Sequence, residues 1–438
     1  GEVQIMPRPG TLALPDWASA ARGYEELSLG GVVKVLAVVG SAIKTYDPAT
    51  GTVGTITGSI AGTDRVVIKY TEQQIGILGG GIFHVGDLTG IAAVTDPDFA
   101  ALLADHDQTA FINLMSIGQR FVLQYGSRFC FTAVNDGDNT TALNYYTAEY
   151  APDGLVGGST IGLRMWHMGG KTGEPWEETG QSDDPYRRSL GQELDVGLRA
   201  RDCFKNLDGV PYWIDQHNQV RRSGNAAIPD NISGPDVSLI IGATDVEDLV
   251  AFTLEFEGHA FYGIHMPTMC PLYDANYGEW TRFLTLQEET WRYGFALRVS
   301  GKLFVGDMDG TGFALMHPDY RSDHMPDAST MGTERVWRVS GYILTERVRP
   351  MGKLRYEGSK GIGLATGQGS DPQITMRRSL KGPKQFSSSR SRSVGVQGRY
   401  DKEVSWQQNG DIYPPGCAIE VSGSDPVPYV TTGLYEDV

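Results

Sequence analysis

Short apolar runs, each closed by a Gly- or Asp-containing turn, recur along most of the chain, and this recurrence limits the fold more than any other feature. The turns are "DPATG" from Asp47, "GDLTG" from Gly86, "NDGDN" from Asn135, "GGKTG" from Gly169, "DQHNQ" from Asp215, "DANYG" from Asp274 and "GDMDG" from Gly306. Their mean step of about 43 residues suits one four-stranded propeller blade. Two of the stretches are copies: "GGGIFHVGDLTG" (79–90) and "VSGKLFVGDMDG" (299–310) share Gly, Val, Gly, Asp and Gly at the same offsets. "YDPATG" from Tyr46 and "YDANYG" from Tyr273 share Tyr-Asp-x-x-x-Gly. The two offsets, 220 and 227 residues, nearly agree and lie close to five steps. One such pair is within chance; two at nearly equal offset favour a degenerate repeat.

Between the turns, "VVKVLAVVG", "DRVVIKY", "QRFVLQYG" and "HAFYGIHM" read as half-buried antiparallel strands. Helical periodicity is confined to residues 99–106 and 244–250. Glycine, 56 of 438 residues and without a three-residue period, fits many turns. After Asp323 the texture changes: a linker-like "SDHMPDASTMGTER" precedes more strand runs and a Gly-rich stretch. The expected fold is all-β: an extended segment over 1–29, a degenerate β-propeller of six to eight blades over 30–323, and a small antiparallel β-sandwich over 324–438.

The formal net charge of -16 argues against a protein whose main task is gripping nucleic acid. It leaves room for one past which nucleic acid slides, because an acidic wall repels phosphate. Cys130, Cys203, Cys270 and Cys417 lie far apart with no CxxC pair, so reduced structural thiols are expected. No run of 18 apolar residues occurs, and "GEVQIMPRPG" lacks the regions of a signal peptide. A soluble protein made in a cytoplasm is expected, its start processed or lying further upstream.

Motifs that carry chemistry are scarce. Asp307 and Asp309 open like a calcium loop, but the twelfth position, which needs a bidentate Glu, is Pro318, so a tight turn is expected. His259 and His265 fall on one face of a strand, about 20 Å apart and too far to share a metal. Glu177–Glu178 and Asp183–Asp184 sit in polar loops and read as solvated; Trp280, Trp291, Trp337 and Trp406 read as core. "SLKGPKQF" is a degenerate echo of an Asp-box hairpin, with Lys381, Pro383 and Phe386 where Asp, Gly and Trp belong. No catalytic constellation, metal site or cofactor site emerges.

Two stretches are candidates for interaction. Residues 377–406 carry eight Lys/Arg against two Asp/Glu, yet "SSSRSRSVGVQGRYDKEVSW" ends in Val404 and Trp406, which need burial. An ordered hairpin with a basic face is expected rather than a disordered arm. Arg390 and Arg392 alternate with serines and share a strand face, and with Arg399 and Lys402 they form a candidate assembly surface for an acidic neighbour. Residues 169–188, "GGKTGEPWEETGQSDDPYRR", read as a long polar loop. Gly169, Glu174, Trp176, Asp183 and Asp184 mark it as a candidate docking loop.

Taken in order, several segments resemble one family, the packaged-DNA stabilisation, or tail hub and nozzle, proteins of short-tailed bacteriophages. "MPRPGTL" is similar to the family's opening Pro-Arg-Pro-Gly-Leu, and "DGVPYWIDQHNQVRRSGN", "LYDANYGEWTRF" and "GKLFVGDMDGTGFALMHPDYRSD" to its hairpins. "GQGSDPQITMRRS", the serine-arginine stretch and "SDPVPYVTTGLYED" resemble its ending. The sequence departs from the family at "KGPKQF" and at "QQNGDIYPPG".

The resemblance implies a non-enzymatic virion tail protein, assembled in the host bacterial cytoplasm as a homohexameric ring. It would lie below the portal and its adaptor, help retain packaged DNA, dock tail fibre, spike or needle proteins, and pass double-stranded DNA at ejection. Two other classes fit a propeller: a sialidase-like hydrolase, for which Arg164, Arg298 and Arg335 could be nominated, and a receptor- or glycan-binding module.

Overall fold

The computed structural model describes residues 6–148, 150–181, 184–223, 229–308, 310–325, 329–379 and 385–437. The chain divides into two compact units, residues 14–315 and residues 1–13 with 316–438.

The larger unit is a seven-bladed β-propeller. Each blade is a four-stranded antiparallel sheet. The inner strands are Ala21–Leu29, Val67–Tyr70, Asn113–Ile117, Leu155–Ile161, Lys205–Leu207, Val250–Phe256 and Tyr293–Val299, so blades recur every 42 to 50 residues. Each inner strand touches the next, and Tyr293–Val299 touches Ala21–Leu29, which closes the ring. Ala21–Leu29, expected in the extended lead-in, is thus the inner strand of blade 1.

The seven turns read from the sequence fall one to each blade. In blades 1, 2, 3 and 6 they join the third and fourth strands; in blades 4, 5 and 7 they join the second and third, which explains the scatter in their spacing. The Tyr-Asp pair occupies equivalent positions. Asp47 and Asp274 each accept a backbone N–H two residues on, from Ala49 at 2.8 Å and Asn276 at 3.0 Å. Gly51 and Gly278 close these turns at φ 72° and 75°, a region that suits glycine. The longer copies are not equivalent: residues 82–86 are a third strand, whereas Lys302–Asp307 is a second. Their likeness is that of one hairpin chemistry used at two radii.

Burial is greatest in the middle strands of the blades. The second strands, such as Ile75–Gly79, Arg120–Tyr125 and His259–His265, are almost continuously buried, whereas outer strands such as Thr52–Ile56 and Glu279–Phe283 are mostly exposed. The half-buried alternation expected for these runs gives way because a neighbouring blade covers each face. Sheets buried on both faces read as apolar runs for the same reason. All four cysteines are buried.

Two helices decorate the ring. Pro97–Ala104 lies close to the expected span; Asp96 caps it by accepting from Asp98 N at 2.9 Å, and proline leads its first turn. Residues 244–250 hold only the short 3-10 turn Val246–Asp248, and the helix falls just before, at Pro235–Ala243.

The smaller unit contains a β-sandwich. One sheet has the order Trp337–Leu344, Gly416–Gly423, Gln373–Ser379, Arg390–Ser393, and the other the order Ser405–Trp406, Lys353–Gly358, Thr431–Asp437. Leu354, Tyr356, Ile374, Met376, Trp406, Ile419 and Val421 pack between them. Trp337 and Trp406 therefore serve this core, and Trp291 is fully buried in the propeller.

Ring closure rests on blades 1 and 7. Leu14 N donates to Phe313 O at 2.9 Å and Trp17 N to Thr311 O at 3.0 Å. The Trp17 and Phe313 rings lie 5.3 Å apart in a core shared with Val35, Ala37 and Phe304. Trp17→Ala should therefore destabilise the propeller by about 3–5 kcal/mol, measured by denaturant unfolding. A loss below about 0.5 kcal/mol, the range of ordinary surface substitutions, would contradict this account of closure.

Candidate functional site

Every blade begins at its inner strand, so the segments leading into those strands gather at one end of the propeller axis. Arg65 precedes the inner strand of blade 2, Ile112 that of blade 3, Arg201–Cys203 that of blade 5 and Val246–Asp248 that of blade 6. Arg65 Nε donates to Asp202 Oδ2 at 2.7 Å and Arg201 Nε to Asp202 Oδ1 at 3.1 Å. Arg201 Nη2 donates to Arg65 O at 3.0 Å, and Arg65 reaches the Glu247 carbonyl. Blades 2 and 5 stand three places apart on a seven-membered ring, so the Arg65–Asp202 pair spans the axis. A cavity of about 420 Å³ sits here, with Arg65, Phe111, Val156, Arg201 and Glu247 in its wall.

Further along the inner wall, Lys69 Nζ donates to Glu25 Oε2 at 2.8 Å, joining blades 1 and 2. Burial, the largest influence on Asp202, would raise its carboxyl; Arg201 and Arg65 outweigh it and hold the group at about 2. Burial pushes Lys205 down, against the pull of Asp202. This arrangement can brace four blades against one another. It offers no nucleophile paired with a base.

The expected docking loop is mostly strand. Gly173–Glu178 and Tyr186–Arg188 are the outer strands of blade 4. Glu174 is buried and accepts from Trp176 Nε1 at 3.0 Å and Arg188 Nη1 at 3.3 Å. The Trp176 ring lies 5.0 Å from Phe129 of blade 3, in the core between the two blades. A Cβ at Gly169 would strike the Asp153 carboxylate. These three positions are therefore buried within the propeller, a correction to the loop reading. Asp184 is exposed and accepts from Tyr146 Oη at 2.5 Å. Asp183 lies outside the described residues.

The serine-arginine stretch contains an ordered edge strand, Arg390–Ser393. Arg392 pairs with Ile374 and Arg390 with Met376, both core residues, so the two arginines share the core-side face at the rim of the sandwich. Their guanidiniums turn to the opposite sheet. Arg390 Nη1 donates to Asn409 Oδ1 at 2.8 Å and Arg392 Nε to Ser405 O at 3.1 Å, while Trp406 Nε1 donates back to Arg390 O at 2.8 Å. Lys402 Nζ donates to Ser393 Oγ at 2.6 Å, and Arg399 lies exposed in the following turn.

The remaining motifs have local partners. Asp307 accepts from Arg292 Nε at 2.9 Å and from Gly310 N at 3.1 Å; Asp309 lies outside the described residues. His259 Nδ1 lies 2.5 Å from Asp274 Oδ2, within one blade. Arg164 pairs with Glu177 in blade 4, whereas Arg298 donates to the carbonyls of Gly301 and Glu255. Arg335 donates to the Arg8 carbonyl. Lys381 and Pro383 of the Asp-box echo also fall outside the described residues. Among the described residues no group of three His, Cys, Asp or Glu is placed to hold a metal ion, and no helix is long and apolar enough to cross a membrane.

Fold and axis together define a seven-bladed propeller braced across its centre by ion pairs, with a sandwich as a second unit. Comparison with solved structures gives distant alignments. PorZ, an essential bacterial surface component of the type-IX secretion system of Porphyromonas gingivalis, aligns with 81% of this chain at 11% identity and a TM-score of 0.43; the chain spans 44% of PorZ. Virginiamycin B lyase from Staphylococcus aureus aligns over 72% of this chain and 99% of its own at 8% identity and a TM-score of 0.47. The computationally designed Ika8 protein aligns over 70% of this chain and 100% of its own, at 12% identity and a TM-score of 0.43. No match was found among curated proteins.

The chain belongs to the Phage_stabilise family, bacteriophage P22 Gp10, beta-propeller, whose profile matches residues 30–319. It is a packaged-DNA stabilisation propeller protein of a bacteriophage and so a structural component of the virion.

The axial tie has a pH signature. Because the folded Asp202 carboxyl sits below its ordinary value, its contribution is full above about pH 4 and fades as pH falls towards 2. Asp202→Asn should lose about 2 kcal/mol at pH 7. Urea midpoints of the two proteins should converge on acidification to pH 3 and below. A difference that does not change with pH would show that charge pairing is not what holds this end of the ring.

Proposed function

We propose that the chain is a subunit of the tail hub, or nozzle, of a short-tailed phage. It joins the portal-adaptor complex to the distal tail, helps retain packaged DNA and surrounds the path of ejection. Copies of the chain form a ring, six by family resemblance, that meets adaptor proteins on one side and fibre, spike or needle proteins on the other. The chain acts as a structural part rather than a catalyst.

The observation that supports this reading most is the closed propeller axis. An opening bridged by the Arg65–Asp202 pair at 2.7 Å cannot pass a duplex whose major groove alone is about 12 Å wide. A chain of this family that guides DNA must therefore do so between copies, around a shared channel. Charge supports the same reading. Residues 14–315 hold 20 Lys/Arg against 38 Asp/Glu, so the propeller carries a net charge of -18. Such a surface repels phosphate and lets DNA slide without sticking.

Particles assembled without this chain should fill with DNA and then lose it, read as the fraction of DNA-filled heads in electron micrographs over time. Heads that stay full and attach distal tail proteins normally would contradict the proposal.

A further inference from the structure

We propose that Arg378, Arg390 and Arg392 form an anion-accepting cluster on the sandwich, and that its occupant is the carboxylate surface of the propeller of a second copy of this chain. The proposal rests on the reading of the chain as a ring subunit, and it supplies the charge contact between neighbours. Of the basic residues read from the sequence, Arg390 and Arg392 belong to this set; Arg378 joins them, and Lys402 bonds Ser393 next to Arg392.

Arg378 follows Met376 by two residues on its strand, and Arg390 is the register partner of Met376. The three arginines therefore gather on one face of two adjacent strands at the sheet rim. Among the described residues, every acceptor they use is neutral. Arg378 Nη1 donates to Asp411 O at 3.3 Å, Arg390 to Asn409 Oδ1 and Gln407 O, and Arg392 to Ser405 O and Ser391 O. Four carboxylates of the same unit are taken by other cations: Glu420 by Arg377, Glu436 by Arg349, Glu403 by Lys353 and Glu357 by Arg355. Burial lowers Arg390, and the charges of Arg392 and Arg378 lower it further, as expected of like charges held together without a counter-ion. Arg392 is exposed and the other two are partly exposed, so an incoming anion can reach unused N–H donors.

The occupant follows from how charge divides along the chain. The unit that holds the cluster has 17 Lys/Arg against 15 Asp/Glu, a net of +2, beside the -18 of the propeller. Copies meeting sandwich to propeller bring these charges together and bury the mutual repulsion of the arginines against carboxylates. A duplex is the poorer occupant. Three arginines neutralise about three phosphates, fewer than the 6–10 contacts typical of firm DNA binding, and the attached propeller repels the rest.

The experiment uses the full chain. Sedimentation at several protein concentrations and at low and high salt should show self-association that weakens with salt. The double variant Arg378→Gln/Arg392→Gln should weaken it by at least about tenfold and flatten its salt dependence. Arg392→Lys, which keeps the charge, should retain it, and thermal unfolding of each variant separates misfolding from lost contact. In mixtures of isotopically labelled and unlabelled copies, a reagent that couples amines to carboxylates should join Lys402 of one copy to propeller acids of another. A wild-type chain that stays monomeric, or variants that associate as before, overturns the proposal. Loss of duplex binding with unchanged self-association reassigns the cluster to nucleic acid and also overturns it. Incorporation of the double variant into particles is a separate readout: normal incorporation with unchanged association sinks this contact and leaves the hub reading standing.

Discussion

A four-stranded sheet whose second strand is apolar on both faces has no stable existence alone, and the larger unit is built from seven of them. Each blade must be covered on two sides, and only a closed ring gives every blade two neighbours. Burial of both faces is the dominant favourable term available to such sheets. The pairing of Leu14 and Trp17 with the strand around Phe313 is thus a condition for the other six interfaces as well as a local contact. The ion pairs across the axis add to this closure at one end. They also leave the axis unfit to carry a duplex.

Much of this was legible from the residues. Turn chemistry is local, so the seven Gly/Asp turns stand out in the sequence and give one mark per blade. What they could not give is the radius at which each turn sits. Asp47 and Asp307 end strands of different rank in their blades with nearly the same hairpin chemistry. The apolar second strands carried the better signal for blade count, because double burial removes the alternation that marks an exposed strand. Residues 169–188 failed as a loop for a related reason. Glu174 is polar in the sequence, yet Trp176 and Arg188 satisfy its carboxylate inside the blade.

The axial residues were missed because their significance is long-range. Arg65 and Asp202 are 137 positions apart, and no local pattern in "TDRVVIKY" or "ARDCFKN" marks them as partners. A faint signal exists: both place charge immediately ahead of a short strand that enters the ring, where a surface loop would need none. The serine-arginine stretch was legible as ordered through Val404 and Trp406, both buried. Its face was not. Period-two alternation puts Arg390 and Arg392 together but does not say whether their shared side meets solvent or the rim of the core.

These features give the chain a division of labour. The acidic ring supplies a rigid, non-adhesive body, and the sandwich, near neutral overall, keeps its uncompensated cations at one edge. The central claim is that DNA travels between copies and never through a propeller. Electron cryomicroscopy of the assembled protein, alone or in the particle, tests it most directly. The account predicts a symmetric ring of subunits around one wide channel, with each propeller axis closed by side-chain density linking Arg65, Asp202 and Arg201. DNA density threading a propeller axis, or a particle containing only isolated single copies, would contradict it.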